Sequence, residues 1–102
     1  MEQEVFYFPS EKAKYRLVLL HGWGADAEDL MPLGMQLIQG IDEPIELLSL
    51  RAPQPHPQGI GRQWYRLFPP DWKEAEKSVI ELRLRLEKIS TLDIPLEKTV
   101  LF

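Results

Sequence analysis

Val5-Phe6-Tyr7-Phe8 opens the chain with four β-forming side chains, and Pro9-Ser10 stops the run. The pattern predicts a strand whose aromatic residues pack on a sheet. A polar turn over Glu11 to Lys14 leaves that strand free to pair antiparallel with the next. Leu17-Val18-Leu19-Leu20 is an uninterrupted apolar run, the pattern of a strand buried on both faces of a parallel sheet. From Ala27 to Gln39 the period changes. Leu30, Leu33, Leu37 and Ile38 recur at helical spacing, Met31 and Met35 fill gaps beside them, and Gly40 ends the segment. Pro32 falls within the first turns, where a missing N–H costs least. Ile45 to Leu50 restores the strand pattern. Strand, helix and strand in that order predict a parallel pair joined by a crossover.

Arg51 to Gln63 contains three prolines and two glycines, which excludes a persistent regular element. Within it, His56 between two prolines reads as a solvent-facing loop residue. Pro69-Pro70-Asp71 closes the region, with Asp71 placed as a helix N-cap. Trp72 to Ser90 then carries Trp72, Ala75, Val79, Leu82, Leu86 and Ile89 along one face of an amphipathic helix. The other faces are charged, and Glu81 and Arg85 are spaced as a solvated ion pair. After Ile94-Pro95, Lys98 to Phe102 predicts a further buried strand.

His21-Gly22-Trp23-Gly24 separates the first apolar strand from the first helix. Two glycines around an aromatic residue permit positive φ and leave a main-chain N–H facing open space. Asp26 is placed to cap the helix, with Asp29 three residues on, near the positive end of its dipole. Such a turn lies at the carboxyl end of a strand, the edge where open α/β sheets bind ligands. The proline-rich loop leaves the same edge.

With 102 residues the chain is one domain, residues 1–102. A net charge of −4 argues against nucleic acid and anionic membrane surfaces as partners. The absence of cysteine excludes disulfides, thiolate metal sites and cysteine nucleophiles. Two histidines without clustered donors predict no metal site, and no cofactor motif is present. The acidic start and the lack of a long apolar stretch predict neither signal peptide nor transmembrane helix, hence a cytoplasmic protein.

L-V-L-L-H-G-W-G-A-D resembles the strand and His-Gly-x-Gly turn of α/β-hydrolases, closest to the phospholipase/carboxylesterase group that includes acyl-protein thioesterases. Arg62-Gln63-Trp64-Tyr65, following Ala52-Pro53, resembles the Trp-aromatic pair of the same group. Thr99-Val100-Leu101-Phe102 resembles the strand before its nucleophile elbow. The resemblance implies the amino-terminal half of an α/β-hydrolase fold, a mostly parallel sheet with flanking helices. It implies that the Trp23 N–H is one oxyanion-hole donor and that His21, Gly22 and Gly24 shape the turn without acting as catalysts. It assigns Trp64 and Tyr65 to the acyl pocket, while the residues themselves equally allow a loop anchor. The implied activity is hydrolysis of a small-molecule ester or thioester through an acyl-serine. None of the four serines, Ser10, Ser49, Ser78 and Ser90, stands in a Gly-x-Ser-x-Gly turn. The Ser-Asp-His triad is therefore expected beyond Phe102, and the chain alone is expected to be inactive.

Two other readings follow from the residues. One is a non-catalytic binding module whose terminal strand, Thr99–Phe102, is an exposed apolar edge open to self-association. The other is a phosphate site at the helix start, where Asp26 and Asp29 would repel the anion.

Overall fold

In the computed structural model, which describes residues 5–102, the two apolar runs lie side by side at the centre of a four-stranded sheet. In chain order the elements are β1 (Val5–Phe8), β2 (Tyr15–Leu20), α1 (Ala27–Gln39), β3 (Ile45–Leu50), β4 (Gln54–Pro55), β5 (Arg62–Gln63), α2 (Trp72–Ile89) and β6 (Thr99–Leu101). The sheet order is β1-β3-β2-β6. β2 is parallel to both β3 and β6, and only β1 runs antiparallel. The class is mixed α/β with a mostly parallel sheet. Among the described residues no helix is long and apolar enough to cross a membrane.

β1 pairs with β3, not with its chain neighbour β2. The polar turn is the reason: Lys14 N–H donates to Pro44 O at 2.9 Å, which carries the chain past the start of β3 before β2 begins. Tyr7 and Phe8 consequently sit on an edge strand, 54% and 41% exposed. β6 is the opposite edge. Val100 and Leu101 are 58% and 48% exposed, so the expected buried strand is an open one.

From β2 the chain crosses by α1 toward the β1 edge; from β3 it returns by α2, over β2, to β6. Right-handed crossovers running in opposite directions put their helices on opposite faces. α1 covers the face of Leu19, Leu47 and Ser49, where Ser49 Oγ donates to Ala27 O at 2.7 Å. On the other face Ile89 of α2 borders a cavity together with Tyr7, Arg16, Glu46 and Leu48. The exits of β2 and β3 therefore diverge, which opens a crevice at their carboxyl ends.

α1 has the expected bounds and a complete capping box, in which Asp29 accepts the Asp26 N–H at 2.8 Å. Its inward stripe runs through Ala27 and Gly34, and Leu33 and Leu37 face outward. Gly34 sets the distance between helix and sheet: a Cβ there would stand 2.6 Å from Leu19 Cδ1 and 2.8 Å from Leu47 Cδ1. α2 is also rotated from its expected face. Ala75, Leu82, Leu86 and Ile89 are half-buried, but Trp72 and Val79 are exposed. The inward stripe passes instead through Ser78 and Arg85, and Arg85 Nη1 donates to Arg51 O at 2.7 Å. Arg85 thus ties the helix to the loop, and Arg83 and Glu87 form an i,i+4 surface pair.

Arg16 and Glu46, directly opposite each other on β2 and β3, form a buried ion pair, 4% and 7% exposed. Tyr7 Oη donates to Glu46 Oε2 at 2.9 Å, and Arg16 Nη1 donates to Ile94 O at 3.2 Å. Partial burial, then the bond to the Glu46 carboxylate and its charge, raise the Tyr7 phenol above its ordinary pKa. Removing one member of a buried pair strands the other. Arg16→Met is expected to lower unfolding stability by about 3–5 kcal/mol, and Arg16→Met with Glu46→Leu to recover most of it. Urea unfolding of both variants checks this; equal losses in the single and double variants would show that no stranded charge is involved.

Candidate functional site

The turn leaving β2 is closed by Ala25 N–H donating to Gly22 O at 3.2 Å, with Gly24 at φ +84°. Positive φ at the third of four turn residues is the type II arrangement, which glycine adopts without strain. Trp23 occupies the second position. Its N–H takes no part in closing the turn and has no acceptor among the described residues.

Four contacts fix this turn. The His21 ring, 2% exposed, accepts the Ala52 N–H on Nε2 at 3.0 Å, which leaves the proton on Nδ1 to donate to Gly22 O at 2.9 Å. Both nitrogens are thereby committed to backbone. Trp64 Nε1 donates to His21 O at 2.7 Å. Gly24 N–H donates to Arg62 O at 2.9 Å, and Arg62 N–H returns a bond to Ala25 O at 2.8 Å. Finally, Trp23 Nε1 donates to Gln63 Oε1 at 3.0 Å, Gln63 Nε2 to Gln54 Oε1 at 3.1 Å, and Gln54 Nε2 to Glu74 Oε1 at 2.8 Å. That relay connects the turn to the first turn of α2.

The proline-rich loop is thus not free of regular structure. β4 and β5 pair antiparallel, Gln54 opposite Gln63 and Pro55 opposite Arg62, as a short hairpin folded over the turn. His56 at its bend is 5% exposed, not solvent-facing. His56 N–H donates to Gly61 O at 3.2 Å and Gly59 N–H to His56 O at 2.9 Å, which tucks the ring inward. It lies edgewise on Trp23, ring centroids 4.0 Å apart. Phe68 meets the Trp23 ring at 5.1 Å, and these residues border a cavity of about 280 Å³.

Trp64 and Tyr65 lie elsewhere. Trp64 packs on His21, centroids 5.4 Å apart, and Tyr65 is tilted toward Trp72 at 6.4 Å. Neither lines the cavity beside Trp23; the Trp64 indole is bonded to His21 O. The aromatic and polar groups around Trp23 are His56, Gln63 and Phe68 instead. Only the pairing of distant loops assembles them, so no local pattern in the sequence marks them. At the helix start, Asp26 is paired with Arg51 at 2.8 Å. Carboxylates already fill that end, which leaves no seat for phosphate.

A larger cavity, about 700 Å³, opens at the far end of the sheet beside Tyr7, Arg16 and Glu46. The buried polar groups there bond one another, and it lies at the amino ends of the parallel strands, away from the crevice. We place the candidate site at the smaller one.

Gly61 holds the hairpin against the turn. Its φ is +81°, and a Cβ on it would fall 2.1 Å from Gly24 O, a backbone atom that cannot move aside. Gly59 has nearly the same φ, +82°, but faces open space. Gly59→Ala is expected to cost only the left-handed strain, about 1–2 kcal/mol. Gly61→Ala should cost clearly more and release the Trp64 and Trp23 indole bonds, visible as solvent-exchanging indole protons in NMR. Equal destabilisation by the two would remove the steric argument. Compared with protein-family models and with curated proteins, the chain matches none.

Proposed function

We propose that this chain is the amino-terminal half of a serine hydrolase of the carboxylesterase, phospholipase or acyl-protein thioesterase type. It would act on carboxylic esters or thioesters in a cytoplasmic setting, with which the cysteine-free composition agrees. The observation that carries the reading is the Trp23 N–H. It has no acceptor among the described residues and follows the carboxyl end of β2, beside the crevice where two parallel strands diverge. A fixed N–H in such a position stabilises an oxyanion without reorganising at the moment of reaction.

In this reading the attacking serine, its histidine base and the orienting carboxylate belong to sequence beyond Phe102. The serine oxygen bonds to the acyl carbon as its proton passes to the histidine and then to the departing alcohol or thiol; water afterwards releases the acid. Within the chain, Ser49 is fully buried and bonded to Ala27 O, and both His21 nitrogens are occupied. A second reading, a non-catalytic module that self-associates through β6, draws on the exposure of Val100, Leu101 and Phe102.

The 102-residue chain is expected to form no covalent adduct with a fluorophosphonate probe, read by intact mass. An adduct would place a nucleophile within it. The oxyanion role is tested on the esterase encoded by the reading frame continued past codon 102. Proline suits the second position of a type II turn and lacks the N–H, whereas alanine keeps it. Trp23→Pro should therefore lower kcat roughly 10²–10³-fold relative to Trp23→Ala. Equal kcat in the two variants would end the assignment. A frame lacking any Gly-x-Ser-x-Gly turn downstream would favour the non-catalytic module.

A further inference from the structure

The cavity of about 700 Å³ at the amino ends of the parallel strands is lined by charge that the fold only partly consumes. Alternation along β2 and β3 puts Arg16, Glu46 and Leu48 on the cavity's face of the sheet, with Leu17 and Leu47 on the other. Arg16 is 4% exposed, and its side-chain bonds engage Nε and Nη1 alone. Nη2 makes no bond among the described residues, yet it is not sealed from solvent. A nearly buried guanidinium thus keeps one donor edge open on the face where the cavity lies. Lys12 and Asp93 are exposed at its border and have no partner among the described residues, whereas Lys14 stands 4.0 Å from Glu43. The lining holds three cations, Lys12, Lys14 and Arg16, against the carboxylates of Glu46 and Asp93, so a monoanion balances it. Ser10 and Thr91 add hydroxyls.

We propose that this cavity binds a sugar acid, a carboxylate whose neighbouring carbons carry hydroxyls. The ligand carboxylate accepts from Arg16 Nη2 and is attracted by Lys12, while its hydroxyls donate to Asp93 and exchange bonds with Ser10 and Thr91. A charge-assisted bond of this kind is roughly twice as strong as one between neutral groups. An acid without hydroxyls would leave Asp93 unused, and a neutral sugar would leave the guanidinium edge without an anion. The volume lies within the range of small-molecule pockets, roughly 300–1,000 Å³. The Trp23 turn is at the opposite end of the parallel strands, so binding here does not depend on the hydrolase reading.

The 102-residue chain is titrated with sodium gluconate, with sodium acetate and sorbitol as comparators, while NMR follows the backbone amide signals of Ser10, Lys12, Thr91 and Asp93. Gluconate should shift these signals saturably. Sorbitol, which has the hydroxyls without the charge, and acetate, which has the charge without the hydroxyls, should each bind at least about tenfold more weakly. Arg16→Met with Glu46→Leu removes the donor without stranding a charge, and it should weaken gluconate by a similar factor. Lys12 holds a φ of +57°, so Lys12→Gly suits its backbone while removing the ammonium. That variant should lose about two- to fivefold, the contribution of an exposed charge. Absence of a saturable shift, equal binding of sorbitol or acetate, or equal gluconate affinity in the double variant overturns the proposal. If the double variant does not fold, equal gluconate affinity in Lys12→Gly overturns it. Failure here leaves the Trp23→Pro comparison standing, and failure of that comparison leaves gluconate binding standing.

Discussion

The parallel pairing of β2 with β3 is the constraint on which everything else in this molecule depends. Val18, Leu19 and Leu47 are wholly buried, and Leu50 nearly so. Each such side chain contributes about 1.5–3 kcal/mol by leaving water. The pairing also decides where ligands can go. Its two exits turn to opposite faces, so the His21–Gly24 turn and the loop from Arg51 face each other across one crevice. A site at that crevice follows from connectivity before any side chain is considered.

Register is held by a polar device within the same pair. Arg16 and Glu46 meet only when β2 and β3 are aligned as observed, and Tyr7 then reaches Glu46 from β1. A slip of one residue would turn Arg16 or Glu46 toward Leu19, Leu47 and α1, where nothing could satisfy a charge. Buried ion pairs are poor sources of stability, since desolvation offsets most of their attraction. Here the pair penalises the wrong alignment more than it favours the right one. The apolar residues cannot discriminate in this way, because Leu opposite Leu recurs at several registers.

Elements with a strong local pattern were legible in the sequence. Ala27–Gln39 and Ile45–Leu50 have the bounds that spacing and caps predict, and Asp26, Asp29 and Asp71 cap as their positions suggest. Rotation of the helices was not legible. Leu33 and Leu37 share a helical face with Leu30, but the sheet approaches α1 through Gly34, and a missing side chain leaves no hydrophobic mark. Strand burial failed for a similar reason: Thr99–Leu101 has a core composition, and only the sheet order makes it an edge. At the site, the turn around Trp23 could be read from its glycines. His56 could not, because its burial results from the bend back to Gly61 and from contact with Trp23, far along the chain.

The density of bonds around the turn gives the free Trp23 N–H its meaning. His21, Trp64, Arg62 and Gln63 each direct a bond to the turn or its flanks, and every one engages a group other than that N–H. A flexible turn could rotate the donor into water and would lose little by doing so. In this turn, rotation of the Gly22–Trp23 peptide would break both bonds that Gly22 O accepts, from Ala25 N–H and from His21 Nδ1. The donor is therefore oriented at the expense of bonds already made in folding. Electrostatic catalysis requires donors held in that way, since a group that must reorient during reaction loses much of its effect. The same rigidity explains why the hairpin from Gln54 to Gln63 covers the turn so closely. It clamps the turn, and the Trp23 N–H within that turn has no acceptor among the described residues.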